Sequence, residues 1–386
     1  MARLCDFIVI TDDFWRSTPR VRHKMPVAWA SAGHRVLWCE RSPFPAEWGD
    51  GRLTRSLRGP LEGVAERLWV LPTPPALPRL ERSRFPGPLL RQLHGSWLAA
   101  RVRRAVNRLG FRDPVLVLMQ HGARADLLGL IPHEASVYYT HDLFGYGTLD
   151  EQDRAQEDGL CRLVDWVWTT SEPRAAALAP HARRIRCLPH AVDLAWWRAH
   201  VADALAPVVA SIPSPRLVFT GAVDFRIDWP LVRALAAAEP RWQWVFCGPV
   251  THDSRAEVAN LPPNVHAIGS LPLNALPPVI QAADALLLPY RIEAMTENIG
   301  RPLKYYDYLA SGRPIVSSRF ADFGPGSERL VRFASGVDEW LGALRSALAE
   351  RDELLAAERR REAELNGYEA RMAEQFTMLD SLEAQR

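Results

Sequence analysis

Lys304 and Asp307 stand three residues apart in RPLKYYDYLASGRPIV, residues 301–316, a stretch that reads as one helix stopped by Ser-Gly and followed by an apolar strand. That spacing puts a cation and a carboxylate on one helix face. Gly300 and Arg301 precede them, so free backbone N–H groups, the positive end of the helix and two cationic side chains are offered to an anion. The alternative is a surface pair worth about a few tenths of a kcal/mol. It leaves the aromatic flanks Tyr305 and Tyr308 and the preceding glycine unexplained.

A second pair, His141 and Asp142, follows the apolar run in VYYTHDLF. A carboxylate or imidazole at a strand end can take a proton from a hydroxyl, with Asp142 the first choice and His141 the second. The competing reading has Asp142 capping the helix that follows. Asp12, Asp13, Trp15, Arg16 and Arg20 come after the first strand and are further polar candidates, as is Arg226 after a later one, where an ion pair with Asp228 is the alternative.

These residues must be carried by strands and helices, and the chain alternates them. In the first half CDFIVI, RVLWC, RLWVL, PVLVLM, SVYYT, WVWTT and RIRCLP read as strands, with helices over about 18–32, up to 109, 122–130, 149–162 and from Glu172. Apolar runs without polar alternation suit parallel sheets covered on both faces. VADALAPVVASIPSPRL is the linker, after which RLVFTG, WQWVFCGP, NVHAIGS, DALLLPY and PIVSS alternate with helices near 228–238, 253–260 and 273–283 and with the segment that carries Lys304. The tail from Val337, with ERDELLAAERRREAEL, reads as a solvated charged helix. The expectation is an α/β protein of two doubly wound domains, residues 1–195 and 210–365, with 366–386 a C-terminal helix packing back on the first. Ligands of such sheets bind beyond the strand carboxyl ends, here around an interdomain cleft.

Composition narrows the chemistry. At 386 residues, with 48% hydrophobic and 24% charged, the chain is an ordinary globular protein long enough for two cores. Neither domain opens with G-x-G-x-x-G, and there is no Walker loop, H-E-x-x-H or nucleophile elbow. The five cysteines are scattered and read as buried, reduced thiols. The start resembles a first strand rather than a signal peptide, and no run is long enough to span a membrane, so a cytoplasmic location is expected. Net charge is +2, yet Arg79–Arg112 holds nine arginines against Glu81, a local +8 on a body of −6. With Phe85, Leu89, Leu93 and Trp97 interspersed, this segment suits an anionic membrane surface at the inner face, or alternatively a packed Arg-rich helix; nothing in it suggests nucleic acid.

PYRIEAMTENIGRPLKYYDYLASGRPIVSS resembles the signature of nucleotide-sugar glycosyltransferases of the GT-B fold, group 1 or family 4. LPHAVDLAWW resembles the joint before that class's second domain, and GAVDFRIDW, CGPV and NVHAIGSLP…LPPVIQAADALLLPY resemble its second-domain landmarks in the right order. AGHRVLW and VYYTHD carry a looser likeness in the first domain. The resemblance implies diphosphate binding by Lys304, Gly300, Arg301 and Arg226, ribose binding by Asp307, and a donor pocket framed by Gly221, Gly248, Ile268, Gly269, Tyr290 and Asn298. It implies a transferase whose acceptor is a saccharide or lipid-linked molecule used in surface polysaccharide or glycolipid assembly. His141 then serves as base or donor-sugar contact beside Asp142. No cofactor and no metal are called for, the donor being a UDP- or GDP-sugar as substrate. Asp307 stands where many members carry the second of two glutamates, and Ile299 stands eight residues before it, with Glu297 two positions further back. Retaining and inverting chemistry are therefore both open. A nucleotide-sugar epimerase and a catalytically silent nucleotide-sugar-binding protein are the competing functions.

Overall fold

The computed structural model describes residues 4–17, 21–77, 86–119, 124–141, 151–292, 301–321 and 323–383. It divides into two units, residues 1–188 with 372–386, and residues 189–371.

Unit 1 is built on eight strands: β1 (Asp6–Thr11), β2 (Arg35–Cys39), β3 (Glu62–Ala65), β4 (Leu68–Leu71), β5 (Val115–Met119), β6 (Ala135–Thr140), β7 (Trp166–Thr169) and β8 (Ile185–Cys187). Their order is β3-β4-β2-β1-β5-β6-β7-β8, parallel throughout except for β3, which pairs antiparallel with β4 at the edge. Every residue of β1, β5 and β6 is buried, as their unbroken apolar runs require when helices cover both faces. From Met372 onward the C-terminal helix Tyr368–Glu383 belongs to this unit. Gln375 accepts a 2.9 Å bond from the buried indole of Trp29, and Phe376 stacks on His34 at 4.3 Å between ring centroids.

Unit 2 has six parallel strands: β9 (Arg216–Thr220), β10 (Gln243–Cys247), β11 (Val265–Gly269), β12 (Ala285–Leu288), β13 (Ile315–Ser317) and β14 (Val331–Phe333), in the order β11-β10-β9-β12-β13-β14. The chain winds outward from β9 through β10 to β11, then returns to the other flank of β9 and continues through β12. The carboxyl ends of β9 and β12 therefore form the switch point of this sheet, where ligands of open α/β sheets bind. Trp229, Trp244 and Trp340 fill its core, and Tyr306 and Tyr308 pack the helix Leu303–Ser311 against it.

Several elements depart from the sequence reading for reasons of local chemistry. Of the helix expected over 122–130, the described residues from Arg124 form a short 3-10 turn, Ala125–Gly129, and the chain has left it by Ile131, ahead of Pro132; residues 122 and 123 lie outside the described residues. The one expected over 273–283 is split into a 3-10 turn and the helix Leu276–Gln281, with Pro277 and Pro278 in the first turn, where their missing N–H groups cost nothing. The charged tail is not a solvated helix. Helix Gly336–Ala349 buries Trp340, Leu341, Leu344 and Ala347, and helix Glu353–Leu365 places Arg359 at 0% exposure, where its guanidinium binds Glu350 at 2.5 and 2.9 Å and donates to the carbonyls of Leu330 and Gly312. Cys39, Cys161 and Cys247 are buried, whereas Cys5 and Cys187 are half-buried. Among the described residues, no helix is long and apolar enough to cross a membrane.

Candidate functional site

Three glycines end three neighbouring strands of unit 2. Gly221 follows β9, Gly248 follows β10 and Gly269 closes β11, with φ of +122°, +155° and +75°. Backbone bonds tie them in sequence across the sheet, Gly221 N–H to Cys247 O and Gly248 N–H to Gly269 O, each at 2.8 Å. A Cβ on Gly248 would lie 2.0 Å from the carbonyl oxygen of Gly221, so only glycine allows that approach. The resulting edge is bare backbone, with half-buried Ile268 beside it.

Lys304 comes down on this edge from the helix Leu303–Ser311. Its Nζ lies where a side chain on Gly221 would begin, 3.9 Å from the ring centroid of Phe219 and 5.1 Å from that of Tyr290, and donates a 2.5 Å bond to the Tyr290 hydroxyl. Cation–π contact of this kind replaces part of the ammonium's lost hydration. Burial pushes its pKa well below the usual lysine value, the neighbouring Arg226 guanidinium adds to that, and the carboxylates of Asp224 and Asp307 act in the opposite sense. Among the described residues no carboxylate forms an ion pair with it.

Tyr290, just past β12, is held by its own packing: its ring meets Phe219 and Phe320 edge-on at 5.8 and 4.7 Å, and its carbonyl accepts from Ser318 Oγ at 2.5 Å. Arg226 approaches the same ring, its guanidinium carbon 5.5 Å from the centroid. Its ion-pair partner is Asp224, at 2.6 Å, rather than Asp228. Asp228 instead accepts the Leu231 N–H at 3.0 Å as N-cap of the helix Trp229–Ala238. The Tyr308 hydroxyl accepts from the Thr220 N–H at 2.8 Å, tying the end of β9 to the Lys304 helix.

That helix begins later than its sequence suggests. Pro302 is extended (φ −68°, ψ 149°) and serves as N-cap, so Arg301 precedes the helix and Lys304 is its second residue. The Arg301 guanidinium lies over Gly324, 2.2 Å from where a Cβ would be. Asp307 is half-buried on the helix. Gly300 and Asn298 lie outside the described residues, as does Glu297. The structure thus brings Lys304, Tyr290, Gly221 and Arg226 together, with Gly248 and Gly269 next along the edge. Sequence reasoning missed Phe219 and Asp224: Phe219 reads as one more apolar strand residue, while Asp224, two residues before Arg226 in a loop, was a visible partner.

In unit 1, His141 is 3% exposed, its ring 4.2 Å from that of Tyr139, and its carbonyl accepts from Thr170 Oγ1. Asp142 and Arg20 lie outside the described residues. Of the residues after β1, Asp13 is buried in a pair with Arg22 at 3.2 Å, the Trp15 N–H donates to Glu40, and Arg16 binds Glu62 at 2.6 Å.

Two units on doubly wound parallel sheets match solved glycosyltransferases of the GT-B fold over nearly the whole chain. Sucrose-phosphate synthase from Thermosynechococcus elongatus superposes with a TM-score of 0.70 at 16% identity, covering 99% of this chain and 100% of that one. Anabaena Alr3699/HepE, solved in complex with UDP and glucose, does so with a TM-score of 0.66 at 13% identity, covering 98% and 100%. Residues 214–350, within unit 2, match the family described as glycosyl transferases group 1. A putative teichuronic acid biosynthesis glycosyltransferase of Bacillus subtilis strain 168 is 27% identical over 105 residues, a match spanning 26% of each chain.

Proposed function

We propose that the protein transfers a sugar from a nucleoside diphosphate sugar to a hydroxyl of a saccharide or lipid-linked acceptor. The observation that carries this reading is Lys304: a half-buried ammonium, set on Gly221 between Phe219 and Tyr290 at the switch point of unit 2. Such a cation gains most from a ligand that brings its own negative charge. A diphosphate does so, and Arg226 stands beside it. Neutralising the leaving diphosphate with these two cations needs no metal ion in this reading. Asp307 takes the ribose hydroxyls, and the edge from Gly221 through Gly248 to Ile268 and Gly269 receives the base, where absent side chains let a flat ring reach backbone groups. The UDP and glucose complex of the HepE structure supports UDP as the first nucleotide to try. Asp142, with His141 as second choice, is assigned the acceptor proton.

Titration of the purified chain with UDP, GDP, ADP and dTDP tests the donor half. One nucleotide is expected to bind well above the others, and Lys304→Ala to weaken it by about 1.5–3 kcal/mol. Equal affinity of variant and wild type refutes the site. Turnover tests the other half: acceptor-dependent release of free nucleotide identifies a transferase, whereas an epimerase releases none and a silent binder turns nothing over. Asp142→Asn is expected to leave nucleotide affinity intact and lower turnover by about 10²- to 10⁴-fold.

A further inference from the structure

The helix Gly87–Leu109 of unit 1 carries five arginines and no acidic residue. Its packed face, with Leu98, Ala99, Val102 and Ala105, is buried in the unit 1 core. Its outward face is not uniformly polar. Leu89, Leu93 and Trp97, at successive four-residue steps, are 52%, 57% and 40% exposed. Further along the same face Arg104 and Arg108 are exposed, and Arg103 donates to the Leu130 carbonyl at 3.0 Å. A solvated helix places polar residues at such positions; three large apolar side chains in line leave an apolar strip that water covers at a cost. Arg101 extends the surface sideways. Its guanidinium donates to the carbonyls of Ser56 and Gly59, holding the end of the helix Arg52–Arg58 alongside, where Leu57 is 43% exposed and Arg58 is exposed.

We infer that this face seats unit 1 on an anionic lipid surface, with Leu89, Leu93, Trp97 and Leu57 entering the headgroup boundary and Arg58, Arg104 and Arg108 meeting lipid phosphates. Charge complementarity selects this occupant. An apolar strip alone fits a second copy of the chain or a protein groove, but a strip bordered by neutral Gln92 and Ser96 and continued by exposed arginines, on a helix without a single carboxylate, repels its own copy and attracts a negatively charged plane. The assignment is independent of the donor site, since none of these residues belongs to unit 2.

Sedimentation of the full chain with vesicles of phosphatidylcholine alone, and of phosphatidylcholine mixed with phosphatidylglycerol, tests it. Binding is expected to the mixed vesicles only, and to weaken with added salt. Arg104→Gln with Arg108→Gln is expected to lower partitioning about fivefold for each arginine removed. Leu89→Gln, Leu93→Gln and Trp97→Gln together are expected to abolish it. All of these positions are exposed, and nucleotide affinity, measured on the same variants, is expected to be unchanged, which keeps failure here distinct from failure of the donor reading. Indifference to lipid charge, absence of binding, or a self-association that the apolar triple variant removes would each overturn the inference.

Discussion

A Cβ on Gly221 would stand 2.5 Å from Lys304 Nζ and 2.8 Å from its Cε, so the lysine fills the space that any side chain at position 221 would need. Strand end and helix residue are thereby fitted to each other, and the fit can be broken from the strand side. Gly221→Ala is expected to displace the ammonium and lower nucleotide affinity by at least about tenfold, alongside roughly 1–2 kcal/mol of backbone strain from its left-handed φ of +122°. Gly336→Ala supplies the control: its φ is +67° and nothing lies within 4 Å of the new methyl, so it is expected to show the strain without the loss of affinity. Denaturation curves and nucleotide titrations on the two variants decide it, and parallel effects in both would count against crowding of Lys304.

Lys304 itself sets stability against binding. Its folded-state pKa is lowered, so in the free protein the charged form is penalised below that pKa, and the penalty is relieved as pH rises toward the ordinary lysine value. A bound diphosphate needs the charged form. Nucleotide affinity is therefore expected to fall with rising pH over a range below that of an ordinary lysine. Lys304→Met removes both effects: melting temperature unchanged or raised, affinity about ten- to a hundredfold lower, and the alkaline decline in affinity abolished. Calorimetric titration across pH checks this, and a decline surviving in Lys304→Met would assign it to another group.

How much of this was legible beforehand differs between fold and site. The strands were, because β1, β5 and β6 are buried on both faces and so must be apolar without interruption. Edge strands β3 and β14 were not, since EGVA and VRF are too short and mixed to show a period. Lys304 stood out by its spacing and neighbours. The direction of its ammonium did not, because Phe219, Gly221 and Tyr290 reach it only through the pairing of β9 with β12, distant in sequence. For Arg226 the sequence offered Asp228 as partner, but Asp228 accepts the Leu231 N–H as N-cap and Asp224 forms the ion pair instead. Arg359 was hidden by its own surroundings: a run of alternating charges looks solvated, and nothing in its periodicity tells the one buried guanidinium from the others.

Asp307 offers a test of nucleotide orientation independent of charge on the phosphates. If its carboxylate takes the ribose hydroxyls, the wild type is expected to prefer UDP over 2′-deoxy-UDP by about 1–2 kcal/mol, and Asp307→Ala to bind both alike. A preference that persists in Asp307→Ala places the ribose against other residues while leaving the Lys304 site standing.

The buried pair of Arg359 and Glu350 links the tail to the site, because Arg359 Nη1 also donates to the carbonyl of Gly312, the residue that ends the Lys304 helix. Burial by itself would raise the Glu350 carboxyl; hydrogen bonds and charge from Arg359, and then from Arg332, outweigh it and hold the pKa below its ordinary value. The stability this pair contributes is present above the unfolded-state pKa and is lost as pH falls through the lowered folded-state value. Glu350→Gln is therefore expected to flatten the acid limb of the stability curve. Arg359→Ala, which leaves Glu350 to Arg332 alone, at 2.6 Å, and removes the donors to the Leu330 and Gly312 carbonyls, is expected to cost about 3–5 kcal/mol near neutral pH. Replacing both partners, Arg359→Met with Glu350→Leu, removes the half-paired carboxylate and leaves Arg332, 24% exposed, to solvent, and recovery of part of that loss in urea denaturation is expected. The double variant still lacks the donor to Gly312 O. A lower nucleotide affinity in that stable background would show that the far end of the helix helps to hold Lys304 on Gly221, and unchanged affinity would confine Arg359 to folding alone.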